Sequence, residues 1–395
     1  MGIMKRSDVL LKKCMGILLA SAVLFVFGSC ANVPSQDPSP TNSQETVSQE
    51  PAETSFDASL FRNQDSGPSF ISGRFFLETD RCYYVLRDEY IYYSAKEKPD
   101  FHILCSRPDC HHNDENCNAY GDMALGWFDG KLYCVSVLSV PQEDRMRLGL
   151  VRMDEDGRNH ERLAYLDITV SPSGQVGGCY FFGFHKGYLY FYVDARIMYR
   201  VSLKTGEIRQ ILDDLIGESN LVNCVRITGD KMYLVINDIA EDQYSLYEYG
   251  LSDGKTRLIC PWRRNRYSSW TVEDGVLYFY NEENRAFTEM DLKTGDTSVW
   301  EAALPDHHNI FYDDDWLYVS SWEEERNPVN QTFEIYDRSY KLIDRLILQG
   351  KTVRFFSASD KLFFSPFLSN PVRYYLPKSD FGKGNLELKE VNSKP

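Results

Sequence analysis

The sequence contains no H-E-x-x-H, no G-x-S-x-G and no Walker lysine loop, which sets aside the enzyme classes those motifs define. It also lacks positive charge. Against 58 Asp and Glu there are only 43 Lys and Arg, a formal charge of −15, and a surface of that sign repels nucleic acid and anionic headgroups. No nucleic-acid partner is therefore expected. The apolar stretch from Met15 to Phe27 is too short to cross a bilayer comfortably. Between Ala31 and Pro68 aliphatic residues are nearly absent, and such a segment cannot bury enough apolar surface to offset its ordering entropy.

These gaps frame the N-terminus. Lys5, Arg6, Lys12 and Lys13 precede the apolar stretch, which ends in Gly28-Ser29-Cys30, the form of a secretory signal. It resembles a bacterial lipoprotein signal, which implies lipid attachment at Cys30 and cleavage before it. Phe27 stands where an aliphatic residue is usual; an uncleaved anchor or an ordinary signal cut nearby is the alternative. Acyl chains on Cys30 would hold the protein at the extracytoplasmic face of the cell membrane. Residues 1–29 are then the signal, 30–68 a lipidated cysteine with a disordered Ser/Thr/Pro/Gln/Glu tether, and 69–395 the folded domain. As a flexible coil of about 38 residues the tether spans roughly 35 Å. Loss of the signal removes four cations and one anion, moving the formal charge from −15 to −18.

What is present in the remainder is one repeated phrase. It reads D-G-K-L-Y at Asp129 to Tyr133, K-G-Y-L-Y at Lys186 to Tyr190, G-D-K-M-Y at Gly229 to Tyr233 and D-G-V-L-Y at Asp274 to Tyr278. Echoes stand at Asp315 to Tyr318 and Asp360 to Phe363, and Tyr90-Ile91-Tyr92 is the earliest copy. Marked by Ile91, Leu132, Leu189, Met232, Leu277, Leu317 and Leu362, the steps are roughly 40 to 57 residues, the size of a four-stranded propeller blade. Lys-Thr-Gly at Lys204 to Gly206 and Lys293 to Gly295 marks further hairpins. The aromatic content of 14% suits strands. The expectation is an all-β chain folded as a β-propeller, with blades near 70–105, 120–166, 179–213, 222–260, 270–303, 309–348 and 352–391. Seven is the count, with six or eight as alternatives, and the protein is expected to be a monomer.

The D-G-x-L-Y strand followed by a Met/Tyr-x-x-x-Leu-x-Thr-Gly strand pair resembles the propeller repeats of bacterial surface lipoproteins, related to low-density-lipoprotein-receptor-like and TolB-like propellers. The resemblance covers most of the mature chain. It implies extracellular binding or sensing, and a fold likeness by itself supplies no function.

One compact constellation carries chemistry: Cys105, Cys110, His112 and Cys117, with His111 adjacent, within thirteen residues. Thiolates and imidazole suit a structural zinc, although the spacings are not those of the usual two-residue knuckle. A disulfide is the rival, because eight cysteines remain after Cys30 in an exported chain, and free thiols are the third alternative. The segment joins the outer strand of the first blade to the inner strand of the second, on the face where propeller loops converge. Trp262, Arg264, Arg266, His307, His308, Trp322 and Glu323 are placed on that face as candidate ligand contacts, with a solvated loop as the plain alternative for each. Asp154-Glu155-Asp156-Gly157 is expected to be a hairpin turn, since its glycine comes too early for a calcium loop and Tyr165 stands where the bidentate glutamate belongs.

No catalytic residue is assigned. The sequence favours a lipid-anchored, non-catalytic binding or sensing module for a surface glycan, peptide or protein. The rival is an extracellular polysaccharide hydrolase or lyase, whose paired carboxylates sequence spacing cannot reveal.

Overall fold

A computed structural model describes residues 75–391 except 141–144, 170–178, 194, 213–214, 217–219, 242, 263–269, 282–283, 303, 306–307, 314, 323–329, 349–352, 367–371 and 385. The signal, Cys30 and the tether lie outside the described residues.

Seven four-stranded antiparallel sheets follow one another along the chain, each made of four consecutive strands in simple up-and-down order. Blade 1 holds β1 (Phe76–Glu78), β2 (Cys82–Arg87), β3 (Tyr90–Ala95) and β4 (His102–Ile103); blade 2 holds β5 (Ala124–Phe128), β6 (Lys131–Val140), β7 (Arg145–Asp154) and β8 (Glu161–Thr169). Blade 3 is β9 (Cys179–His185) to β12 (Ile208–Ile211), blade 4 β13 (Asn220–Thr228) to β16 (Thr256–Trp262), and blade 5 β17 (Trp270–Glu273) to β20 (Thr297–Glu301). Blade 6 is β21 (His308–Tyr312) to β24 (Leu342–Leu348), with β22 at Trp316–Trp322. Blade 7 is β25 (Val353–Ser357) to β28 (Lys389–Glu390), with β26 at Lys361–Pro366. The first strands β1, β5, β9, β13, β17 and β21 lie side by side in succession, as the inner strands of a β-propeller. Among the described residues one 3-10 turn, Lys378–Asp380, interrupts the all-β pattern, and no helix is long and apolar enough to cross a membrane.

The repeated phrase makes the same local structure each time. Asp129-Gly130, Lys186-Gly187 and Asp274-Gly275 form two-residue hairpin loops with both residues at positive φ, the type I′ geometry whose twist matches that of paired strands. The aliphatic residue two places after the loop then points into the seam between blades. Leu132, Leu189, Met232, Leu277, Leu317 and Leu362 are all 0 to 1% exposed. The earliest copy departs from this phase. Asp88-Glu89 forms a comparable positive-φ loop, but it joins β2 to β3, so Ile91 sits on the third strand of its blade and not the second.

Apolar clusters fill the seams, and on the end of the ring that carries the first-to-second and third-to-fourth turns every seam also has a polar pin. Tyr84 Oη donates to the Glu155 carbonyl at 3.1 Å, Tyr133 Oη to Leu203 at 3.3 Å, and His185 Nε2 meets the Gly229 carbonyl at 2.7 Å. Arg257 donates to the Leu292 carbonyl at 3.3 Å, Arg338 pairs with Glu273, and Lys378 Nζ donates to Asp313 at 2.7 Å. The ring closes where blade 7 meets blade 1. Here Tyr83 bonds Asp360, Ser359 N–H donates to Glu78 at 2.7 Å, and Lys361 Nζ donates to the Lys96 carbonyl at 3.0 Å. Among the described residues no strand from one end of the chain completes the sheet at the other. Closure therefore rests on side chains.

Candidate metal centre and adjoining cavity

The sulfurs of Cys105, Cys110 and Cys117 and a ring nitrogen of His112 converge so that all four donor atoms lie within 4.8 Å of one another. Local backbone bonding sets them there. Cys105 follows β4 directly, its N–H donating to the Ile103 carbonyl at 2.9 Å, and a turn closes from Cys110 N–H to the Arg107 carbonyl at 3.3 Å. His112 takes a positive φ of 50°, which turns the chain back. A second turn closes from Cys117 N–H to the Asp114 carbonyl at 3.2 Å, while Arg107 Nη1 reaches the Asn116 carbonyl at 3.0 Å and ties the two turns together.

The donors fit a tetrahedral ion. Metal–sulfur and metal–nitrogen bonds of about 2.3 and 2.0 Å imply edges of roughly 3.5 to 3.8 Å in such a site. His112 Nδ1 stands 3.3 Å from Cys117 Sγ. Donors of the kind that surround metal thiolates are also present, since Ala119 N–H lies 3.4 Å from Cys117 Sγ. Burial pushes the Cys117 thiol up to about 12, and a backbone bond from His112 holds the Cys110 thiol below its ordinary range. His111, the neighbouring imidazole, is exposed and outside the set. Among the described side chains these three cysteines and Cys82, Cys134 and Cys260 are free thiols, so no disulfide joins any two of them.

The cluster lies along the seam between blades 1 and 2, not only at the loop-bearing mouth that its position in the sequence suggests. At one end Glu115 accepts the N–H of Ser139 at 2.8 Å, near the turn between the second and third strands of blade 2. At the other, the Leu104 carbonyl packs so closely on Gly157 that a Cβ there would come within 2.6 Å of it. Gly157 belongs to the Asp154–Gly157 turn, which joins β7 to β8 as the hairpin expected.

Beside the cluster this seam opens into a cavity of about 600 Å³. Arg81, Tyr84 and Tyr93 of blade 1, Leu104, Cys105 and Ser106 of the connection, and Asp154, Glu155 and Asp156 of blade 2 line it. Tyr93 is 36% exposed, with its ring 6.5 Å from that of His102. The carboxylates are paired, Glu155 with Arg81, Asp154 with Lys131 and Asp156 with Arg158. Hydrogen bonds from those last two cations hold Asp154 and Asp156 below the ordinary carboxylate range. No motif marks this cavity, because its walls come from five separate segments, Gly130 being the fifth.

Of the other candidate contacts, Arg264, Arg266, His307 and Glu323 lie outside the described residues, and Trp262 and Trp322 end β16 and β22, where their backbones alone are described. His308, at the start of β21, is held at the seam between blades 5 and 6. Its ring packs edge-on against Tyr280 at 5.1 Å, and Nδ1 is 2.6 Å from the Pro305 carbonyl.

No family model and no curated protein matches the chain. Solved structures that resemble it include the computationally designed Ika8 protein, at 8% identity and a TM-score of 0.44 over 74% of this chain and 80% of that one. PorZ, a surface component of the type-IX secretion system of Porphyromonas gingivalis, matches at 10% identity and 0.47 over 80% of this chain and 38% of that one. An oligogalacturonate lyase from Vibrio parahaemolyticus matches at 14% and 0.46, over 66% of this chain and 76% of that one.

Proposed function

We propose that this protein is a lipid-anchored extracytoplasmic β-propeller that binds a surface carbohydrate without transforming it. The anchor rests on the signal, Cys30 and the tether composition. The observation that carries the non-catalytic reading is electrostatic. Among the described residues every carboxylate with a displaced acidity, namely Asp154, Asp156, Glu248, Asp291, Asp313, Asp337, Asp360 and Asp380, is displaced downward. At Glu248, burial opposes the charge, but hydrogen bonds from Lys231 and Arg257 outweigh it. Glycoside hydrolysis by paired carboxylates needs an acid held protonated, by an environment of the opposite kind.

The seam cavity is the ligand site in this reading. An exposed tyrosine ring offers a stacking face for a sugar, and planar Arg–carboxylate pairs offer donors and acceptors to its hydroxyls. Zinc is the metal assigned to the Cys₃His set, as a structural ion, since four protein donors leave it no open position for substrate.

A glycan and peptide binding screen on the mature protein tests the reading, with Tyr93→Ala as the variant. Binding of an oligosaccharide that Tyr93→Ala weakens at least tenfold is expected. Turnover of the bound sugar, or binding indifferent to Tyr93, would overturn it. Fatty-acid labelling that survives Cys30→Ala would remove the anchor.

A further inference from the structure

The outer strand of blade 1 is short and broken. β4 has two residues and pairs only with Tyr92 and Tyr93 of β3. Beyond it, Leu104 N–H donates to the Ile91 carbonyl at 2.8 Å, but the Ile91 N–H donates to Ala119, fifteen residues further along, at 2.7 Å. Tyr90 then bridges Tyr120, and Gly121 N–H donates to the Glu89 carbonyl at 2.9 Å. In an unbroken antiparallel strand both bonds of a hydrogen-bonded residue go to a single partner. Here Leu104 and Ala119 divide that role, so the outer strand consists of two halves, 102–104 and 119–121, with residues 105–118 inserted at the break.

All four metal donors lie in the insert. Cys105 is its first residue and Cys117 its second from last, so the donors gather at the two cut ends of the strand. We propose that one zinc ion at Cys105, Cys110, His112 and Cys117 splices this split strand, supplying the continuity that the backbone lacks, and so holds the edge of β3 closed against blade 2. The inference rests on the zinc reading given above. Each half-strand by itself makes too few backbone bonds to stay in place, and the fourteen-residue insert adds closure entropy that a cross-link at its base removes. The insert's contacts with blade 2 depend on the same fastening, and Cys105, which lines the cavity, ties one of its walls to the ion.

The test is metal analysis combined with backbone hydrogen exchange on the intact folded protein, before and after a high-affinity chelator and after zinc is restored. One zinc per chain is expected. On its removal amide exchange across 89–91 and 117–121 should rise about a hundredfold, the factor associated with opening a cross-linked loop of this length, while blade 4 is unchanged. Added zinc should restore the protection. Cys117→Ser, if folded, should show the fast exchange without chelator. Bound zinc whose removal leaves 89–91 and 117–121 protected would overturn the splice and leave the zinc reading standing. Absence of bound zinc in protein prepared with it would overturn both.

Discussion

Phe363 and Phe364 are neighbours on β26, both fully buried, and they face opposite seams. Phe363 points to the closure of the ring, its centroid 4.8 Å from Tyr83, 5.6 Å from Phe76 and 5.9 Å from Phe101. Phe364 points to blade 6, 5.5 Å from Phe333 and 6.4 Å from Phe355. Replacing either by alanine removes a whole ring from a packed interior and costs about 3–5 kcal/mol. With an unfolding entropy of about 2.1 cal/mol/K per residue over about 320 residues, Tm should fall by roughly 5–7 °C in both variants. The two should differ in where the protein opens. The seam between blades 6 and 7 is spanned by the connection from β24 to β25, so chains parted there remain tethered. Among the described residues the seam between blades 7 and 1 has no shared sheet and is held by side-chain packing and by hydrogen bonds that each involve a side chain. Phe363→Ala should therefore speed hydrogen exchange across 76–85, and Phe364→Ala should leave that segment protected. Equal exposure of 76–85 in the two variants, or in neither, would refute the view that the closing seam is the weakest joint.

Asp313 pins the seam between blades 6 and 7. Burial works against its charge, but the Lys378 ammonium and the hydroxyls of Ser357 and Tyr318 outweigh it and hold the carboxyl below the ordinary range. A depressed folded-state pKa stabilises above the unfolded value near 3.9, and the gain is lost as pH falls through the folded one. Asp313→Asn should thus cost about 3–5 kcal/mol at neutral pH, where it strands Lys378, and thermal scans should show the gap to the parent narrowing below about pH 4; a constant gap would refute the assignment. Gly126 of β5 lies so close to the Phe184 ring that an added Cβ would meet it at 2.2 Å, so Gly126→Ala should destabilise by about 1–3 kcal/mol in denaturant titration. Chelation of the metal should lower Tm by roughly 4–5 °C, from a cross-link of about 3 kcal/mol closing a thirteen-residue loop, and an unchanged Tm would count against a structural ion.

The seven-blade propeller was legible because its signals are local. A D-G loop sets a hairpin by its own φ angles, and the aliphatic residue after it falls on the seam face by the period of two, so blade limits read from the phrase lie within a few residues of the strands observed in most blades. The cysteine cluster was legible for the same reason, all its donors lying within thirteen residues. The copy at Asp88 to Tyr92 shows the limit: its loop formed as the local pattern requires, yet on a different hairpin of its blade, because that choice belongs to the sheet as a whole.

The amino-acid order alone determined the repeat, the turn chemistry and the identity of the four candidate ligands, all of which depend on residues near one another in the chain. Tertiary structure decided which partner each edge receives. Ile91 divides its two backbone bonds between Leu104 and Ala119, Tyr83 meets Asp360 across 277 residues, and the cavity draws on both blades at one seam. Those outcomes follow from packing wedges around a closed ring, where the position of every seam depends on all the others.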